Sequence, residues 1–218
     1  MPQNEITIIV ATRSSYISGM SQLRTRLFNS IAAESLRNQN DKNFVWCISV
    51  ATGDDETKRN VDGIDCLFFN HSNWAEMAKI VGREKIRMMR FDDDDAIRSD
   101  FVEQLRKEPF REGHWLTFPN GYRSHNGRIY KKRNLPNQFV SLDVIAKSGN
   151  HVYEINHRDL EKTEYRDRLH IVSDHPVWLW TRHAESKSSG GKVDVGSERL
   201  RNFNYSAFGI KEETIGSF

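Results

Sequence analysis

The sequence predicts an α/β fold, in which a mostly parallel β-sheet is flanked by helices and followed by a small hairpin region. Over residues 1–110, short runs of β-branched and apolar residues alternate with segments of helical periodicity, which is typical of a parallel sheet. A run of four aspartates at 92–95 follows one of the apolar runs and precedes a helix-like segment. The length of 218 residues suits one compact domain.

The predicted elements of the first half follow one another in strand and helix order. Residues 6–11 (Ile-Thr-Ile-Ile-Val-Ala) have the composition of a strand buried on both faces. Leucine and isoleucine recur at helical spacing over 21–38, which predicts an amphipathic helix. The other elements predicted here are strands over 44–51, 65–69 and 86–91 and helices over 74–83 and 97–108.

The second half has a weaker pattern. Residues 115–118 and 127–130 resemble the two strands of a hairpin, with turn residues at Asn120-Gly121 and at 124–127 (Ser-His-Asn-Gly), and 139–145 reads as a further strand. From 186 onward the sequence Ser-Lys-Ser-Ser-Gly-Gly-Lys predicts a flexible segment.

Composition narrows the class of protein. A net charge of +2 does not indicate the strongly basic surface of a nucleic-acid-binding protein. No apolar run approaches the roughly 20 residues that span a bilayer, so no transmembrane segment is expected. Cys47 and Cys66 lie in apolar runs and read as buried, reduced thiols, which favours a cytoplasmic protein.

The acidic run at 92–95 is the strongest chemical signal. Four adjacent carboxylates repel one another, and the usual compensation is a hard divalent cation or the N–H groups of a helix N-terminus. A strand followed by a helix places the run at the carboxyl edge of the sheet, where α/β proteins bind ligands. Asp92 and Asp94 alternate and can converge on one Mg²⁺ or Mn²⁺. The alternative is a solvated turn in which Asp94 or Asp95 caps the following helix.

The residues around this run resemble a known family. Residues 90–96 (Arg-Phe-Asp-Asp-Asp-Asp-Ala) are similar to the Arg-Leu-Asp-x-Asp-Asp-Ala signature of the rhamnosyltransferase family, within the GT-A glycosyltransferases. Residues 26–46 resemble the family's Arg-x-x-Leu-Phe…Ser-Leu-x-x-Gln-x-x-x-x-Phe stretch, and 175–183 resemble its closing segment with tryptophan and histidine. The three blocks occur in the family's order.

The resemblance implies a GT-A-like (Rossmann-like) fold and a function. The family's Asp-x-Asp element holds a divalent cation that bridges the diphosphate of a nucleotide-diphosphate sugar donor. The implied activity is metal-dependent transfer of a sugar, with rhamnose named by the family, to a hydroxyl of a glycan or other acceptor. In these terms 1–185 is the glycosyltransferase domain, with a nucleotide-binding half at 1–110 and an acceptor half at 111–185, and 186–218 is a flexible C-terminal segment.

The resemblance also implies roles for particular residues. Asp94 would be the principal metal ligand, and Asp92 would lie near both the metal and the nucleotide ribose. His183 would reach the metal or the diphosphate, with His175 as its competitor. Asp95 would be either a carboxylate that supports the metal ligands or one on the acceptor side. Residues beside the nucleotide would be Ala11, Thr12 and Arg13.

Three further groups are interpreted from the residues themselves. Asp174 is our first choice for the general base that an inverting transfer requires, and Asp143, Glu154 and Asp159 are alternatives, although each is also explained as a surface carboxylate or helix cap. A basic cluster, Arg123, Arg128, Lys131, Lys132 and Arg133, either clamps donor phosphates or a charged acceptor glycan or forms a solvated strand face. Trp115, Trp178 and Trp180 are candidates for stacking on sugars, with at least one expected in the core.

Two other functions compete with glycosyl transfer. A nuclease or phosphohydrolase would use the same carboxylates around two cations, but the remaining histidines lack metal-ligand spacing. A non-catalytic binding module would use the acidic loop for Ca²⁺ or as a cap.

Overall fold

The computed structural model describes residues 6–13, 21–50, 66–70, 77, 84–183, 186 and 198–216. The helix predicted over 74–83 lies outside these residues except for Met77, which is helical and buried. Among the described helices, none has the length and apolar character needed to cross a bilayer. Cys47 is buried, as expected, whereas Cys66 is only half-buried.

The described strands, in chain order, are β1 (Thr7–Arg13), β2 (Phe44–Val50), β3 (Leu67–Asn70), β4 (Lys85–Asp92), β5 (Ala96–Ile97), β6 (Trp115–Thr117), β7 (Asn120–His125), β8 (Arg128–Arg133), β9 (Ser141–Ile145), β10 (Leu169–Ile171) and β11 (Trp178–Trp180). The described helices are α1 (Gln22–Leu27), α2 (Ala33–Arg37), α3 (Phe101–Lys107), α4 (Thr163–Arg166) and α5 (Glu212–Gly216). A π-helical turn, Phe28–Ala32, joins α1 to α2, and single 3₁₀ turns cover Ala146–Ser148, His157–Glu161 and Tyr205–Phe208.

A seven-stranded sheet forms the centre of the fold, with the order β10-β6-β9-β4-β1-β2-β3. β1 lies parallel to both β2 and β4, and β2 lies parallel to β3. β9 is antiparallel to β4 and to β6, while β10 is parallel to β6. This mixed but mostly parallel sheet, flanked by helices, confirms the predicted α/β class.

The side chains of β1 point alternately to the two faces of the sheet, and both faces are covered. Ile8 and Val10 face one layer, where they pack with Phe28 of the helical segment. Ile9 and Ala11 face the opposite layer, which belongs to a second buried cluster. A parallel strand with both faces covered needs apolar residues at every position, and this explains the β-branched run.

The helix predicted over 21–38 is confirmed, and Ser21 caps it by accepting a hydrogen bond from Arg24 N over 3.2 Å. The helix predicted over 97–108 begins later, at Phe101. Ala96 and Ile97 are fully buried and form β5, which pairs antiparallel with β11. Pairing with a distant strand therefore overrides the local helical pattern there.

The hairpin turns within the second predicted turn segment, 124–127, but its first strand is 120–125 and not 115–118. β7 and β8 form an antiparallel pair that turns at Asn126 and Gly127, which both have positive φ (49° and 68°). β6 instead joins the large sheet. Gly121 lies inside β7, where an added Cβ would overlap the indole of Trp178. Gly121 therefore does not form a turn. It allows the backbone of β7 to pack closely against the Trp178 indole.

Part of the predicted flexible tail is packed. Within 198–216, Phe208, Ile210 and Ile215 are almost fully buried and contact Leu27 and Leu179 in one apolar cluster. The expectation of flexibility is therefore wrong for these described residues, because their apolar side chains cover the small sheet, whose order is β5-β11-β7-β8.

Candidate functional site

The acidic run leaves the carboxyl end of β4, beside the end of β1. In the parallel register Arg13, the last residue of β1, is the partner of Asp92, the last residue of β4. The carboxyl ends of neighbouring parallel strands form the edge at which α/β proteins bind ligands. The structure thus confirms that the acidic run lies at this edge.

Burial alternates along the run and divides its carboxylates into two kinds. The side chains of Asp93 and Asp95 are each 1% exposed. Those of Asp92 and Asp94 are 31% and 14% exposed. Only Asp92 and Asp94 are accessible to a ligand, while the other two belong to the interior of the protein.

Asp93 forms a buried ion pair with Arg24 of α1. Burial and the neighbouring Asp94 raise the pKa of Asp93 well above its usual value, and Arg24 opposes that shift. The second Asp93 oxygen, Oδ2, is buried and has no hydrogen-bond partner in the described part of the chain. Arg24 also reaches Asp94 Oδ2 at 3.5 Å, so one guanidinium offsets the charge of two carboxylates.

Asp95 anchors the loop to β11. Its Oδ1 accepts the backbone N–H of Thr181 over 2.9 Å, and its Oδ2 accepts from Gln138 Nε2 over 3.3 Å. The Thr181 hydroxyl donates to the backbone carbonyl of Asp94. Burial raises the pKa of Asp95 well above its usual value, as do Asp94 and Asp92. These contacts fit the first of the two roles implied for Asp95, a buried carboxylate that supports its neighbours, and do not place it on the acceptor side.

The alternative that Asp94 or Asp95 caps the following helix is wrong. α3 starts at Phe101, and the residue before it is Asp100, whose side chain makes no capping hydrogen bond.

Asp94 meets the predicted histidine. His183, three residues beyond the end of β11, places Nε2 at 2.8 Å from Asp94 Oδ2, and its side chain is 1% exposed. The competitor His175 is exposed and hydrogen-bonds through its backbone N–H to Ser173. Of the two histidines, the structure brings only His183 to the acidic run.

The donor groups here fit a divalent cation of the Mg²⁺ or Mn²⁺ type. Such a cation is commonly held by one or two carboxylates, with water and substrate phosphates completing its coordination, and imidazole is an acceptable ligand for Mn²⁺. Asp94 and Asp92 supply carboxylates and His183 supplies a nitrogen. Within the described ranges, no three His, Cys, Asp or Glu side chains are already gathered around one point.

Of the residues expected beside the nucleotide, only Arg13 presents its side chain at this edge. Ala11 is fully buried in the core. Thr12 is also fully buried, and its hydroxyl accepts a hydrogen bond from the Trp46 indole N–H over 3.0 Å. The side chains of Ala11 and Thr12 therefore serve packing.

Arg13 belongs to a group that the sequence did not reveal. The guanidiniums of Arg13 and Arg90 lie 5.1 and 5.2 Å from the ring centre of Tyr153. The Tyr153 hydroxyl donates to the carbonyl of Ala11 over 2.8 Å, which fixes the ring against the end of β1. Arg90 also lies 3.4 Å from Asp92 Oδ1, so this arginine–tyrosine cluster adjoins the acidic run on its β1 side.

His157 contacts this arginine–tyrosine cluster, with Nδ1 at 3.1 Å from Arg90. Burial and the nearby charge of Arg90 lower the pKa of His157 to about 4, so the imidazole is neutral at pH 7. Nothing in the local sequence distinguishes His157 or Tyr153 from other loop residues.

The structure does not bring Asp174 to the acidic run. Its side chain is 77% exposed and pairs with Arg133 over 3.2 Å at the start of β7. Asp94 and His183 lie at the other end of the small sheet, about four residues or 13 Å further along the strands. This position corrects the expectation that Asp174 is the general base.

The alternative bases are also engaged elsewhere. Asp143 is buried in a two-bond ion pair with Arg87, with distances of 2.6 and 2.7 Å. Asp159 pairs with Lys162 over 3.0 Å, and Glu154 is exposed. None of these contacts involves the acidic run.

The residues of the basic cluster lie in two different environments. Lys131 pairs with Glu198 and Arg133 with Asp174, which gives them the character of a solvated strand face. Arg123 instead lies 5.3 Å from the ring centre of Trp180. Trp115 and Trp178 are buried in the core, so Trp180 is the partly exposed member of the three tryptophans.

Comparisons with known proteins give limited information. No protein-family model matches the chain, and no curated protein sequence matches it. Among solved structures, a cytidylyltransferase from Leptospira borgpetersenii serovar Hardjo-bovis is similar at 12% identity, a TM-score of 0.45, and coverage of 79% of this chain and 76% of that one.

Two further solved structures are similar at this level. The inositol-1-phosphate CTP transferase of T. maritima has 12% identity and a TM-score of 0.38, with 83% and 90% of the two chains covered. HddC of Yersinia pseudotuberculosis has 8% identity and a TM-score of 0.40, with 81% and 90% covered. Likeness at these values carries no argument about activity, and the resemblance to rhamnosyltransferases stays a prediction.

Proposed function

We propose that this protein is a metal-dependent glycosyltransferase with a GT-A-like nucleotide site. It would move a sugar, rhamnose according to the sequence resemblance, from a nucleotide-diphosphate sugar to a hydroxyl of a glycan or other acceptor. The observation that carries the proposal is the 2.8 Å contact between Asp94 and His183 at the carboxyl end of β4. The sequence resemblance assigns both residues to the same cation, and the structure brings their side chains into contact.

Asp94, Asp92 and His183 would hold Mg²⁺ or Mn²⁺ in this proposal. When bound, the cation neutralises the negative charge that develops on the departing diphosphate. The protein's own residues keep the loop in place for this task. Arg24 balances buried Asp93, and the hydrogen bond from Thr181 to Asp95 holds the loop against β11.

The donor is expected on the β1 side of the acidic run. Arg13 and Arg90 supply positive charge there, and guanidinium groups pair well with phosphate oxygens. The ring of Tyr153 orders both guanidiniums before a ligand arrives, which reduces the entropy lost on binding.

A two-cation nuclease or phosphohydrolase is less well supported. Such enzymes need enough carboxylates and histidines to hold two ions about 3.5–4 Å apart. In the parts of the chain that the structure describes, no three His, Cys, Asp or Glu side chains are gathered around one point, and two cations need more such ligands than one. A single cation needs only one or two carboxylates from the protein, because water and substrate phosphates complete its coordination.

The proposal is tested by thermal unfolding with nucleoside diphosphates. Wild-type protein and Asp94→Asn would be melted with the diphosphates of uridine, guanosine, adenosine, cytidine and thymidine, each with and without Mn²⁺. We expect one nucleotide to raise the melting temperature of the wild type only with Mn²⁺, because a ligand that binds the native state stabilises it. Asp94→Asn should lose this rise.

Asp167→Asn is the matched control, because Asp167 is an exposed aspartate outside the site. It should keep the full response to nucleotide and Mn²⁺. A wild type that melts cooperatively but responds to no nucleotide would contradict the proposal and favour the non-catalytic binding module.

A further inference from the structure

Two arginines lie close to one tryptophan of the small sheet. The guanidinium of Arg123 lies 5.3 Å from the ring centre of Trp180, and that of Arg182 lies 5.2 Å from it. We call Arg123, Trp180 and Arg182 the arginine–tryptophan cluster. Neither the proposed cation nor the proposed nucleotide contacts use it.

The strand register builds this cluster. Trp180 of β11 is the direct partner of Arg123 of β7, so their side chains lie on the same face of the small sheet. The backbone N–H of Arg182 donates to the Ser124 hydroxyl over 3.2 Å, which holds the chain beyond β11 against β7. His183 follows directly and contacts Asp94, so the cluster adjoins the proposed cation site.

The electrostatics of the cluster suit an anion. Arg123 is only 5% exposed, and a second guanidinium stands nearby around the same indole. Guanidinium groups donate strong hydrogen bonds to carboxylate and phosphate oxygens, so two of them beside one indole favour a ligand that carries an anionic group.

The position distinguishes this cluster from the donor side. Arg13, Tyr153 and Arg90 lie at the ends of the parallel strands β1 and β4, the edge that receives nucleotides in α/β folds. The arginine–tryptophan cluster lies on the small sheet. Arg182 of this cluster precedes His183, whose side chain contacts Asp94 of the acidic run. A second substrate that approaches Asp94 from this side meets Arg182 and Trp180.

We propose that the arginine–tryptophan cluster is the acceptor subsite and that the acceptor is an acidic saccharide, whose carboxylate or phosphate binds Arg182 and Arg123. This inference rests on the proposed glycosyltransferase function and adds the chemical class of its second substrate. The indole of Trp180 keeps the two guanidiniums oriented in the absence of the ligand.

The test is isothermal titration calorimetry with the nucleoside diphosphate that stabilises the protein, and Mn²⁺, already present. The titrants are methyl glucuronide, glucose 6-phosphate and neutral methyl glucoside, so that a carboxylate and a phosphate are compared with no charge. The proteins are wild type, Arg182→Met, Arg182→Lys and Arg133→Met. Arg133→Met is the matched control, since it removes the same charge at the far end of the small sheet.

We expect an acidic saccharide to bind the wild type at least about tenfold more tightly than the neutral one, because paired guanidiniums recognise anions strongly. Arg182→Met should lose this preference, Arg182→Lys should keep only part of it, and Arg133→Met should keep all of it. Whichever acidic titrant binds identifies the anion as carboxylate or phosphate.

Three results would overturn the inference. If nucleotide binds but no saccharide shows a preference for negative charge, the acceptor assignment fails while the proposed function stands. If Arg182→Met weakens nucleotide and saccharide binding equally, the cluster belongs to the donor diphosphate. If neither nucleotide nor saccharide binds, the proposed function fails and the inference fails with it.

Discussion

The backbone N–H of Thr181 donates to Asp95 across 2.9 Å, and this bond joins the acidic loop to the end of β11. Because His183 lies two residues beyond Thr181, the bond also sets the position of the imidazole beside Asp94. One buried carboxylate therefore organises the two ligands proposed for the cation. The run of aspartates combines a structural pair with a pair that faces the site.

Substitution of Asp95 tests that structural role. Asp95→Ala leaves the buried N–H of Thr181 without its acceptor, which should lower the free energy of unfolding by about 1–3 kcal/mol. Asp95→Asn retains an oxygen for this bond and should cost less. Denaturant unfolding measures both, with Asp167→Ala as a surface control. Equal losses for the Ala and Asn variants would show that charge, and not the hydrogen bond, matters.

The buried pair of Arg87 and Asp143 makes a second prediction. Both side chains are almost fully buried, and two hydrogen bonds join them across β4 and β9. Arg87→Met leaves the buried Asp143 carboxylate without its counter-ion and with only the Arg111 N–H as a donor, and should cost about 3–5 kcal/mol of unfolding free energy. The double variant Arg87→Met/Asp143→Leu should cost less than Arg87→Met alone.

The comparison for this pair is Lys107→Met, which removes an exposed ion pair with Glu103 on α3. It should change the free energy of unfolding by less than about 0.5 kcal/mol. If the cost of Arg87→Met/Asp143→Leu equals the sum of the costs of Arg87→Met and Asp143→Leu measured separately, the two buried charges do not interact.

His157 predicts a dependence of stability on pH. Its pKa is lowered to about 4 in the folded state, below the ordinary value of 6.5, so the unfolded chain binds the proton more readily. Its contribution is fully present above pH 6.5 and is lost as the pH falls toward 4. Between pH 7 and pH 5 the wild type should lose about 1 kcal/mol more unfolding free energy than His157→Gln, after allowance for partial exposure.

Denaturant unfolding of both proteins at several pH values measures this difference. A wild type and a His157→Gln variant whose unfolding free energies stay parallel from pH 7 to pH 5 would show that His157 does not titrate in this range.

The packed segment at 198–216 makes a fourth prediction. Phe208 is 2% exposed and contacts the apolar cluster that covers the small sheet. Phe208→Ala should lower the free energy of unfolding by about 3–5 kcal/mol, because it removes a large buried side chain and leaves a cavity. Arg201→Ala, at an exposed position of the same segment, should have little effect. Small and similar effects of both variants would contradict this packing and support the flexible segment that the sequence predicts.

Local patterns predicted most of the central sheet. β4, for example, was recognised from an apolar run that ends in carboxylates, and such a run is visible without any partner strand. β5 was missed because Ala96 and Ile97 become a strand only through pairing with β11, far along the chain. A short helical pattern cannot reveal such a partner.

Local sequence signals also predict part of the candidate site. Asp94 and His183 carry signals in their own sequence neighbourhoods, and the structure brings them together. Arg24 lies 69 residues before Asp93, and nothing near it indicates a buried ion pair. Asp174 was chosen by its position along the chain, which does not say at which end of a strand a residue lies.

Binding of Mn²⁺ tests the central claim most directly. The ion would be titrated into wild type, Asp94→Asn, His183→Gln and the double variant, with the stabilising nucleoside diphosphate present, and free Mn²⁺ would be measured by electron paramagnetic resonance. We predict at least about tenfold weaker binding for each single variant, and wild-type affinity for Asp167→Asn. Wild-type affinity in Asp94→Asn would contradict the account, because the cation would then be held elsewhere.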